Sequence, residues 1–121
     1  MKRALLSIVV AVFLVAPGDA RADANGDAEK MVRIFERVAT IVEANRNDCN
    51  AMGDKLNAVI DENAAFLAEA KARSAAMSQA ERDALQARYA ARIQAATARM
   101  MPVMRSCATN QKVMSALRRV Q

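Results

Sequence analysis

The chain has no histidine and no tryptophan, one tyrosine, two cysteines, three glycines and two prolines. Each shortage removes a class of chemistry or architecture. Without histidine there is no usual general base, no imidazole for a catalytic triad and no imidazole zinc ligand. Ser74, Ser78, Ser106 and Ser115 have no evident activating neighbour, and the adjacent carboxylates Asp61 and Glu62 diverge on a helix. The sequence therefore gives no expectation of an enzyme and calls for no cofactor. One tyrosine and three phenylalanines, of which Phe13 lies in the leader described below, supply little for base stacking, so no nucleic acid is expected as a partner. Glycine-rich and alternating β-branched stretches are absent, so strands are not expected either.

Long apolar runs are also missing. The one extended stretch, Ala4 to Ala16, apolar but for Ser7, covers 13 residues, short of the ~20 that span a bilayer as a helix. It follows Lys2 and Arg3, precedes the breaker Pro17-Gly18, and is followed by Ala20-Arg21-Ala22, the small-x-small pattern that signal peptidase cuts. Residues 1–22 read as a secretory signal peptide and 23–121 as one helical domain. That places the mature protein in a bacterial periplasm or outside the cell, with no transmembrane segment left after cleavage. No cysteine follows the cut site, which excludes lipid attachment there.

Acid is lacking in one half only. Setting aside Lys2, Arg3, Arg21 and Asp19 leaves fifteen bases and twelve acids, a net charge of +3. All twelve acids lie in residues 23–83, beside eight bases, whereas residues 84–121 carry seven bases and no acid. Arg105, Lys112, Arg118 and Arg119 in that half are candidates for contact with an anionic envelope surface or an acidic protein. A cationic solvated face without any partner explains the same residues.

What is present is helical periodicity. Met31, Ile34, Phe35, Val38, Ile41 and Val42 recur at steps of three and four, one face of an amphipathic helix. Asn45-Arg46-Asn47-Asp48 interrupts it and predicts a tight turn with Asp48 as the next N-cap, the rival being one long helix running through. A second helix, from Cys49 past Ala70, presents Met52, Leu56, Val59, Ile60, Phe66 and Leu67. Within it Gly53 either admits a neighbouring backbone or is simply tolerated, at about 1 kcal/mol relative to alanine. Ser78-Gln79-Ala80-Glu81 is a capping box opening a third, alanine-rich helix with Leu85, Tyr89, Ile93, Ala96, Met100 and Met104 on one face. Pro102 should kink or break it. A last helix near Asn110 to Val120 is expected to bury Val113, Met114, Leu117 and Val120.

Cys49 stands 29 positions before Ser78 and Cys107 stands 29 after it. Residues equidistant from the turn of an antiparallel hairpin lie side by side, so the spacing predicts a Cys49–Cys107 disulfide, consistent with export. The same register would set Glu69 near Arg88, Asp61 near Arg92 or Arg99, and Asp54 near Arg99 or Arg105. The expected fold is all-α: an antiparallel three-helix bundle with a short C-terminal fourth helix and one disulfide. There is no Cys-x-x-Cys to suggest redox exchange. Met100, Met101 and Met104 beside Cys107 offer soft sulfur ligands of the kind that suit Cu(I), while methionine is equally a filler of helical cores.

Met77-Ser78-Gln79-Ala80-Glu81-Arg82 and the Ala/Arg/Gln-rich helix after it resemble Spy/CpxP-like periplasmic proteins over about residues 77–101. Met, Ser and Glu stand where that family's Leu-Thr-x-x-Gln motif has Leu, Thr and Gln. The resemblance implies an all-helical, holdase-like stress chaperone. With its cysteine pair the chain also looks like small exported bacterial helical proteins that carry one disulfide. Two functions remain in view: a non-enzymatic interaction or structural protein, and a holdase-like or metal-responsive one.

Overall fold

The computed structural model describes residues 24–120, and among them every regular element is helical. The leader expected over residues 1–22 lies outside the described residues. Five helices follow one another: α1 over residues 24–44, then α2 (Cys49–Glu62), α3 (Ala64–Ala75), α4 (Gln79–Cys107) and α5 (Gln111–Arg119).

The residues that bound these helices are those whose side chains compete for backbone partners. Between α1 and α2 the chain turns. The amide of Asp48 donates to the Asn45 carbonyl at 3.0 Å, and the Asp48 carboxylate accepts from the Ala51 amide at 3.0 Å. Helix does not run through, and Asp48 acts as the N-cap. Ser78 Oγ accepts from the Glu81 amide, and Asn110 Oδ1 accepts from the amides of Lys112 and Val113. Three helix starts thus rest on the same device.

One boundary differs from expectation. The segment from Cys49 past Ala70 is two helices, because Asn63 (φ −111°, ψ 10°) leaves helical geometry for one residue. Its amide is shared between the Val59 and Ile60 carbonyls, and its side-chain Nδ2 donates to the Val59 carbonyl at 2.8 Å. An asparagine that satisfies the preceding turn with its own amide loosens the helix there. At Pro102, where a kink or a break was expected, there is no break: α4 passes through it to Cys107.

Polar pairs between helices show their relative directions. From α1 to α4, Asn25–Arg88 and Glu29–Arg92 are 63 residues apart and Glu36–Arg92 and Glu43–Arg99 are 56 apart. A nearly constant offset along both helices means that they run the same way. From α1 to the α2–α3 pair, Arg37 reaches Glu62 and Asp27 meets Arg73; one number rises as the other falls, so these run oppositely. From α2 to α5, Asn50–Asn110, Asp54–Lys112 and Asp61–Arg119 keep offsets of 60, 58 and 58. Those two are parallel.

These pairs replace the ones expected from the hairpin register. Arg92 and Arg99 meet α1 rather than Asp61 or Asp54; Asp61 and Asp54 meet α5; Glu69 pairs with Arg73 on its own helix. A register rule for two helices places the cysteines correctly. It fails for the charges because they sit on the flanks, where a third or a fourth helix lies.

The core gathers at the disulfide end. Ala39, Val42, Met52, Leu56, Ala96, Met100, Cys107, Val113 and Ala116 form one buried cluster, with Phe35, Ile41, Ile60 and Val103 against it. It draws on α1, α2, α4 and α5. From α3 only Ala70 is buried. Expectation and structure part at the margins. On α1, Val32 is buried and Met31 exposed. On α5, Val113 and Ala116 are buried, while Met114, Leu117 and the following Val120 are exposed.

Candidate functional site

The disulfide end is where the chain concentrates its specific contacts. Cys49, in the first turn of α2, and Cys107, at the end of α4, are joined, with Cα atoms 5.4 Å apart. Cys107 is fully buried. From that bond the chain turns at residues 108–110 and lays α5 along α2.

Gly53 governs how close α5 comes. A Cβ at this position would lie 2.8 Å from the Lys112 carbonyl carbon and 2.9 Å from the Val113 amide nitrogen, and closer still to Lys112 Cβ. Only a residue without a side chain admits the neighbouring backbone, so of the two readings of Gly53 the close approach is the one realised. Asn57, one turn on, donates to the carbonyls of Gly53 and Lys112 and accepts from Arg119 Nη1 at 3.0 Å. Asn50 and Asn110 join side chain to side chain at 3.0 Å. Lys112 and Arg119 complete the dock through Asp54 and Asp61.

The four candidate cations therefore divide. Lys112 and Arg119 are held by acids of α2. Arg118 bonds only the Met114 carbonyl of its own helix, and Arg105 has no acidic partner among the described residues. The three candidate methionines divide as well. Met100 belongs to the buried core and Met104 packs against it, whereas Met101 is 49 % exposed. Residues 100 and 101 point about 100° apart around a helix, and the sulfur of Cys107 is bonded to Cys49. Core packing accounts for Met100 and Met104. Among the described residues no group of three His, Cys, Asp or Glu side chains is placed to hold a metal ion, and no helix is long and apolar enough to cross a membrane.

A second polar centre was not foreseen as a unit. Arg92 Nη1 bonds Glu29 at 2.8 Å and its Nη2 bonds Glu36, so one guanidinium bridges two carboxylates about two turns apart on α1. Its hydrogen bonds hold both carboxyls below the usual glutamate range, and they push the arginine further up. Buried Asn45 is satisfied too, donating to the Ile41 carbonyl and accepting from Lys55 Nζ. The sequence signal for the Arg92 centre was Glu29 and Glu36 seven residues apart on one face, opposite an arginine-bearing helix that carries no acid beyond Asp83.

The sign of the pH effect follows. Folded-state carboxyls with lowered pKa give stability that is complete above the unfolded glutamate value of about 4.3. That stability is lost as pH falls through the folded values. We expect the melting temperature of the wild type to exceed that of Arg92→Gln at neutral pH, and the gap to narrow progressively below about pH 4. Thermal melts of both proteins across that range check it; a gap independent of pH would contradict the assignment.

Comparison with protein-family models, curated proteins and solved structures finds no match for this chain.

Proposed function

We propose that the chain is an exported, non-enzymatic helical interaction module. In this reading α1, the α2–α3 pair and α4 form an antiparallel three-helix bundle, α5 closes it, and one disulfide staples it for an oxidising compartment. The observation that carries the proposal is the Cys49–Cys107 bond at the end where the core and the α2–α5 dock converge. A bond so placed suits a chain that must hold one surface rigid outside the reducing cytosol. The lack of histidine and of any nucleophile with an activating partner in the sequence supports a binding role over catalysis.

Expression with the native leader, followed by fractionation and crosslinking in the intact envelope, tests this. Export with cleavage near Asp23 and a specific crosslinked partner is the expected result. Retention in the cytosol with both thiols free would overturn it. Suppression of client aggregation at near-stoichiometric ratio would shift the role to the holdase that the Spy/CpxP resemblance implies.

A further inference from the structure

Five large apolar side chains are exposed among the described residues, and four of them, Met101, Met114, Leu117 and Val120, lie at the α4–α5 end. Their cationic neighbours repeat a pattern. Met101 and Arg105 stand four residues apart on α4, and Met114 and Arg118 stand four apart on α5, so each arginine lies one turn along the same face from an exposed methionine. On α5 the Arg118 Nε reaches back to the Met114 carbonyl. The opposite flank of α5 is the one tied to α2, through Lys112 and Arg119. Docking thus consumes two cations and leaves two, together with the apolar residues, on the outward side.

We infer that the outward face of the α4–α5 hairpin, Met101, Arg105, Met114, Leu117, Arg118 and Val120, docks on an anionic lipid surface. This deepens the reading of the chain as an exported interaction module, since an exported chain meets envelope bilayers. Charge complementarity selects the partner. No acid occurs anywhere in residues 84–121, and the acids of α2 that face α5, Asp54 and Asp61, are already bound, so neither Arg105 nor Arg118 has a direct acidic partner among the described residues. Flexible aliphatic and thioether side chains flanked by cations suit shallow insertion at a headgroup boundary. The hairpin is held in place by the disulfide and the Gly53 approach, so the face is presented preformed.

Purified oxidised full-length mature protein, floated with vesicles of about one-third phosphatidylglycerol in phosphatidylcholine, tests the inference. Binding is expected to these and not to pure phosphatidylcholine, and to be lost as salt is raised. Replacing both arginines (Arg105→Gln with Arg118→Gln) should weaken binding about 30-fold, at roughly fivefold for each juxtamembrane charge. Arg82→Gln, an exposed cation at the far end of α4, should leave binding within about twofold, the change expected of a charge more than a Debye length from the surface. Leu117→Ser should weaken binding to anionic vesicles without changing its salt dependence. Circular dichroism melts show that each variant is folded.

Equal partition into zwitterionic vesicles, no partition at all, or an arginine pair variant that binds like the wild type would each overturn the inference. So would capture of an acidic amphipathic peptide, or self-association abolished by Leu117→Ser, with vesicles ignored; the face would then belong to a protein. Because purified protein is used, failure here is separable from failure of export, which fractionation reads.

Discussion

Replacing both cysteines (Cys49→Ala with Cys107→Ala) is expected to lower stability by about 4 kcal/mol, the chain-entropy value for the loop closed here. The sequence separation is 58 residues. A domain of this size has only about 5–15 kcal/mol of net stability. The double variant should therefore melt some 20 °C lower or more, at 4–8 °C per kcal/mol. Alanine is chosen because Cys107 is fully buried, where a hydroxyl would add a separate desolvation cost. Reduction of the wild type should reproduce the shift. The loss should also be uneven: α5, tethered just beyond Cys107, should lose hydrogen-exchange protection first. A double variant melting within a few degrees of the wild type would mean that the helices hold the same register without the bond.

The second large effect concerns a single hydrogen. Gly53→Ala in an ordinary exposed helix gains about 1 kcal/mol of helix propensity. Here the added methyl would meet the backbone of α5 at 2.8 Å and 2.9 Å, at the Lys112 carbonyl carbon and the Val113 nitrogen. Backbone atoms cannot swing aside as a side-chain tip does, so α5 must move bodily. That movement lengthens the Asn57–Lys112 hydrogen bond, now 3.3 Å, and loosens Val113 and Ala116 in the core. Overpacking of this kind costs about 1–3 kcal/mol, which exceeds the propensity gain. The variant should melt about 5–10 °C lower at the conversion above, with faster exchange at the amides of α5. A higher melting temperature would show that α5 does not approach α2 as described.

How much of this was legible beforehand depended on whether a signal was local. The all-helical class follows from the three- and four-residue steps of apolar side chains. The turn at Asn45–Asp48 and the caps at Asp48 and Ser78 were readable because a side chain bonding its own backbone needs no knowledge of the rest of the fold. The disulfide was readable from symmetry about Ser78. The break at Asn63 used the same asparagine chemistry and was overlooked, because apolar residues continue the helical pattern on both sides of it.

The charge pairs were misassigned for another reason. Sequence order suggested a hairpin of two helices, whereas Arg92, Arg99, Asp54 and Asp61 occupy flanks facing α1 and α5. Which flank meets which helix is set by the rotation of each helix, and one residue of phase changes it by about 100°. The same phase error exchanged Met31 for Val32. On α5 phase decided the outcome as well. Val113 and Ala116 lie on the buried side, and Met114 and Leu117, each one residue further on, lie at the edge.

The central claim is that the folded chain is clasped between α2 and α4 by a bond formed outside the cytosol. Non-reducing peptide mapping by mass spectrometry, on protein recovered from the envelope after alkylation of free thiols, tests it most directly. The account predicts a linked peptide pair carrying Cys49 and Cys107, in a chain beginning near Asp23. Recovery of both cysteines alkylated would contradict it.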